Sequence, residues 1–82
     1  MNELSTNILM IMESSSLGRM SVYIISKQTT DLNINFDNIS QDEAIVLAGR
    51  LKTVLPFFLA DETNDLIMNI RKLVRNGNMV IT

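Results

Sequence analysis

The stretch "GRMSVYIISKQTTDLNINFD", residues 18–37, carries the fold assignment. In its last seven residues Leu32, Ile34 and Phe36 alternate with Asn33, Asn35 and Asp37. A period of two is the pattern of a half-buried strand, one set of side chains on a core and the other in water. The earlier part is rich in β-branched and aromatic residues, with Gly18 before it and Thr29, Thr30 and Asp31 after it. It reads as a second strand from about residue 19 to 27.

Upstream lies "TNILMIME", residues 6–13. The unbroken apolar run suits a buried strand, while Leu4, Ile8, Ile11 and Met12 also fit a helical stripe. The poor helix formers Ser5, Thr6 and Asn7 favour the strand, which makes "SSSLG" a hairpin loop. If the segment is instead a helix, it can lie across the other strands and let a single chain close its own core.

The second half is helical in pattern. Ser40 followed by Glu43 is a capping box, with Ile39 at the staple position before it. Ala44, Leu47, Ala48, Leu51, Val54 and Leu55 then recur at the spacing of one buried helix face. Pro56 ends or kinks that helix near Leu55. The segment "VLPFFLA", residues 54–60, reads as the corner of a helical hairpin, with at least one of Phe57 and Phe58 plugging its closed end.

Asp61 caps a further helix with Glu62 and Asp65 in its first turn and Leu66, Ile67, Ile70, Leu73 and Val74 on its buried face. Arg71, Lys72 and Arg75 fall in its last turns and Gly77 closes it. The tail "MVIT", residues 79–82, is β-prone and either pairs along a sheet edge or hangs free. These elements make one α+β domain over residues 1–82. An antiparallel two- or three-stranded meander (about 6–37) precedes an αα hairpin (about 41–76) packed on one face, in the order βββαα, with a short C-terminal strand as an option.

Composition excludes much chemistry. With no Cys and no His, thiol nucleophiles, imidazole acid–base catalysis, disulfides and the usual zinc sites are absent. No catalytic residue, cofactor or metal is expected, and the chain reads as a non-enzyme. Asp31, Asn33, Asn35, Asp37 and Asp42 fall on a calcium-loop template, but Phe36 stands where its sharp turn needs Gly. Asp42, Glu43, Asp61, Glu62 and Asp65 lie in first helical turns, where free N–H groups account for them.

A net charge of -2 with one Tyr and no Trp disfavours nucleic acid. No apolar run approaches the ~20 residues that span a bilayer, which disfavours a membrane. Glu3 stands where a secretory leader would be basic, so the cytoplasm is the expected location.

The informative excess is apolar. A sheet covered on one face should be polar on the other, yet Leu9, Ile11, Tyr23 and Ile25 occupy the second face of the first two strands. A chain of 82 residues buries only about 60% of its unfolded surface, so another molecule is expected to cover them. The sequence therefore implies a small regulatory or adaptor protein that binds another protein and is itself a homo-oligomer. Its interface centres on Leu9, Ile11, Tyr23 and Ile25, with a second, polar surface at Arg50, Lys52, Arg71 and Arg75. The alternatives are a nucleic-acid-associated regulator using the basic end of the helical hairpin, and a peripheral membrane protein.

Overall fold

A computed structural model describes residues 1–59 and 61–81, the side chains of 75–81 excepted. It overturns the α+β assignment: among the described residues there are four α-helices and no strand. The helices are α1 (Glu3–Glu13), α2 (Met20–Leu32), α3 (Gln41–Val54) and α4 (Glu62–Ile81), with 3-10 turns at Phe36–Asn38 and Leu55–Phe57.

The first segment is a helix because its hydroxyl residues sit in a first turn. The Asn2 side chain accepts from the Ser5 amide at 2.8 Å. The hydroxyls of Ser5 and Thr6 donate back to the Asn2 carbonyl at 3.1 and 2.9 Å. Ser and Thr weaken helix interiors but suit helix starts, where free backbone groups need partners. Ile8 and Met12 then bury completely on the face shared with Ser5.

The second segment hides a helical stripe behind polar letters. Its buried residues are Ser21, Ile24, Ile25, Gln28 and Thr29, at helical spacing. Three of the five are polar, which breaks the apolar period. The Thr29 hydroxyl is satisfied by the Ile25 carbonyl at 2.7 Å, so it enters the core at little cost.

The alternation at residues 32–36 is a helix end followed by a turn. Asn33 has φ 62°, in the left-handed region. The Ile34 amide reaches the Thr29 carbonyl at 2.8 Å and the Asn33 amide the Thr30 carbonyl at 3.2 Å. This pair of bonds is a Schellman motif, with Asn taking the place usually held by Gly. Asn35 then caps the first 3-10 turn by accepting from the Asp37 amide at 3.1 Å. The two asparagines that look like the wet face of a strand are the residues that stop the chain from being extended.

The hairpin half follows expectation more closely. Ser40 and Glu43 form the reciprocal capping box at 3.1 and 3.0 Å. Ala44, Leu47, Ala48 and Leu51 are buried on α3, Leu55 lies buried just beyond it, and Val54 is half-buried. The helix gives way to a 3-10 turn at Pro56. The corner itself differs: Phe57 is 86% exposed and Phe58 50%, so neither plugs it.

Helix α4 starts one residue after Asp61, with Glu62 and Asp65 in its first turn. It runs through Gly77 to Ile81, which removes the stop at Gly77, the last-turn placement of Arg71, Lys72 and Arg75, and the tail strand over 79–81. Thr82 lies outside the described residues. One interior glycine costs a helix only about 1 kcal/mol and does not by itself end it.

The four helices enclose one core, with α3 against α4, α1 against both α2 and α4, and α2 against α3. The radius of gyration is 11.9 Å, against about 12 Å for a compact domain of this length. The chain therefore covers its own core, without the second molecule that a two-faced apolar sheet would need.

Candidate protein-binding surface

The four residues Leu9, Ile11, Tyr23 and Ile25 do not share a free face. Residues two apart lie on one side of a strand but about 200° apart around a helix. Leu9 and Ile11 are accordingly half-buried, packed against the core from opposite flanks of α1. Ile25 is buried in the core at 3% exposure, and Tyr23 stands in solvent at 77%.

Two of the four meet again in a different role. Leu9 of α1 and Ile25 of α2 line an open groove of about 250 Å³ together with Met1, Val22 and Phe36. Ser26, Thr29, Asn35 and Asp37 complete its wall. Val22, Ser26 and Thr29 fall one turn apart along one flank of α2, so the helix itself builds that wall. Across the groove the chain start is held firmly. The Asn2 amide donates to the Asp37 carbonyl at 2.8 Å, and Asn2 Nδ2 donates to the Ile39 carbonyl at 2.9 Å.

The basic residues also divide. Lys52 and Arg71 line a second groove, between α3 and α4, together with Lys72, Asn64, Ile67 and Met68. Arg50 instead turns toward α2, where its Nη1 lies 3.4 Å from Gln28 Oε1. The side chain of Arg75 lies outside the described residues.

Large exposed apolar residues appear where neither sequence pattern placed them. Met10 on α1, Met20 and Val22 on α2, Ile45 and Val46 on α3, and Met68 on α4 are all about half exposed or more. The signal available in the sequence was the helical wheel of α3, whose outer face carries Ile45 and Val46 where charged residues would be ordinary.

Of the calcium-template residues, Asn33 ends α2 and Asn35 caps the first 3-10 turn, while Asp31 pairs with Lys27 at 3.3 Å and Asp42 lies in the first turn of α3. Among the described residues no group of three or more His, Cys, Asp and Glu gathers where it could hold a metal ion. Among them too, no helix is long and apolar enough to cross a membrane. No protein family, curated protein or solved structure matches the chain. The protein is a small four-helix bundle with an open, largely apolar groove.

Proposed function

We propose that this is a small, cytoplasmic, non-enzymatic regulatory or adaptor protein that acts by binding another protein and works as a homo-oligomer. The observation that carries the reading is the groove bounded by Leu9, Ile25 and Phe36, with exposed Met1 and Val22 also lining it. A preformed apolar recess with a few polar groups at its wall takes an apolar anchor from a partner at low ordering cost. The flexible side chain of Met1 at this recess adapts to what enters it.

The absence of Cys from the chain makes a direct test available. A single Cys at Val22 carries a photo-cross-linker into the groove, and the same label at Ser14, exposed at the C-terminal end of α1 and lining neither groove, serves as control. The reading expects one protein captured from Val22 and lost when Leu9 is changed to Lys in a variant that keeps its helical circular dichroism. Equal capture from both positions, or none from Val22, overturns it.

A second reading has its own observation. Lys52, Arg71 and Lys72 line one groove, and clustered cations suit phosphates even on a chain of net charge -2. A nucleic-acid-associated regulator would then show binding that falls steeply as salt rises, whereas capture at Val22 would be insensitive to it.

A further inference from the structure

We propose that a second copy of this chain packs antiparallel along the outer face of α3, about a two-fold axis at the level of Leu47. The inference rests on the homo-oligomeric part of the reading above and specifies the surface. Asp42, Ile45, Val46, Gly49, Lys52 and Thr53 form the outward strip of this helix. Ile45 and Val46 are each 52% exposed. Beside them Gly49 leaves a hollow: a Cβ built there would meet nothing within 4 Å. Opposite charges stand at the two ends of the strip, about 15 Å apart along the axis.

The strip is complementary to itself. The pair Ile45 and Gly49 and the pair Asp42 and Lys52 both have Leu47 as midpoint. An antiparallel two-fold around that level therefore sets each Ile45 over the partner's Gly49 and each Asp42 beside the partner's Lys52, all four contacts at once. Isologous pairing needs this property, in which one patch is its own complement. Arg71 and Lys72 flank Lys52 on α4, so the acidic start of one α3 approaches a basic surface of the other copy. A glycine in a helix interior costs stability. Close approach of a second helix gives that cost a use, because the knob of Ile45 needs a seat without a side chain.

An interface of two helices is small, so association falls in a weak range. It is read by sedimentation equilibrium over protein concentrations up to ~1 mM. Wild-type protein forms dimers. Asp42→Lys and Lys52→Glu each weaken them about five-fold or more, and an equimolar mixture of the two variants restores wild-type association, because the mixed pair matches charges at both ends. Gly49→Leu raises the melting temperature of the monomer, Leu being the better helix former, while weakening the dimer. Restoration by mixing, together with opposite effects of Gly49→Leu on melting and association, supports the assignment. A dimer indifferent to all three substitutions places the oligomer interface elsewhere and overturns the α3 pairing alone. A wild-type chain that stays monomeric throughout overturns the pairing and the oligomeric part of the function, while the groove reading is decided separately by cross-linking at Val22.

Discussion

Asn2 Nδ2 donates to the carbonyl of Ile39 at 2.9 Å, joining the cap of α1 to the residue just before the cap of α3. The same side chain accepts from the Ser5 amide, so one asparagine starts a helix and fastens it to a distant turn. Replacing Asn2 by Ala should remove both bonds and cost about 1–2 kcal/mol. Asn2→Asp keeps the capping oxygen and loses only the donor, so its stability should fall between Ala and wild type. Urea unfolding of the three proteins checks the order, and an Asp variant no better than Ala would show that capping contributes nothing here.

Asn33, with φ 62°, is the stop on which α2 and the first 3-10 turn depend. Gly at this position should match or exceed wild-type stability, by up to about 1 kcal/mol, because the left-handed region costs it nothing. Val should lose about 1–2 kcal/mol through β-branched strain. Thermal melts of both variants decide the matter. A Val protein as stable as wild type would mean that residues 32–36 are extended after all.

What could be read from the letters divides at residue 40. Downstream, the capping box and Pro56 act locally, fixing a start and a stop without help from tertiary contacts, and the apolar spacing of α3 is unbroken on the face it buries. Upstream, local and tertiary demands look alike. Leu32, Ile34 and Phe36 are each half-buried against the core, as a strand would have them, but the backbone between them turns. In α2 the interior accepts Ser21, Gln28 and Thr29, which hides a 3.6 period from any count of apolar letters. Asn2 and Asn33 were the available signals, as an N-cap and a left-handed C-cap. The surface followed from the fold. On a helix residues two apart separate by about 200°, so the four apolar residues do not share a face, and Ile45 and Val46 stand exposed on the outer face of α3.

Two buried hydroxyls lack partners among the described residues: Ser21 Oγ and Thr63 Oγ1, with their residues 0% and 3% exposed. An unpaired polar atom in a core is a desolvation penalty without return. Ser21→Ala and Thr63→Val remove the hydroxyl with little change of shape. Each should leave stability unchanged or raise it by about 1 kcal/mol. Losses above that size in calorimetry would show that the hydroxyls are bonded in solution.

The helical character of α2 has its sharpest test in Tyr23 and Ile25. On a strand these residues share one side, and a charge at either should have the same effect. On the helix they are about 200° apart, one 77% exposed and the other 3%. Tyr23→Asp should therefore stay within about 0.5 kcal/mol of wild type. Ile25→Asp buries an unpaired carboxylate and should cost more than about 4 kcal/mol, enough to unfold a domain of this size. Ile11→Asp should fall between them, since that side chain is half-buried on the flank of α1. Circular dichroism with denaturant titration measures all three. Equal losses at Tyr23 and Ile25 would restore the sheet and sink the bundle.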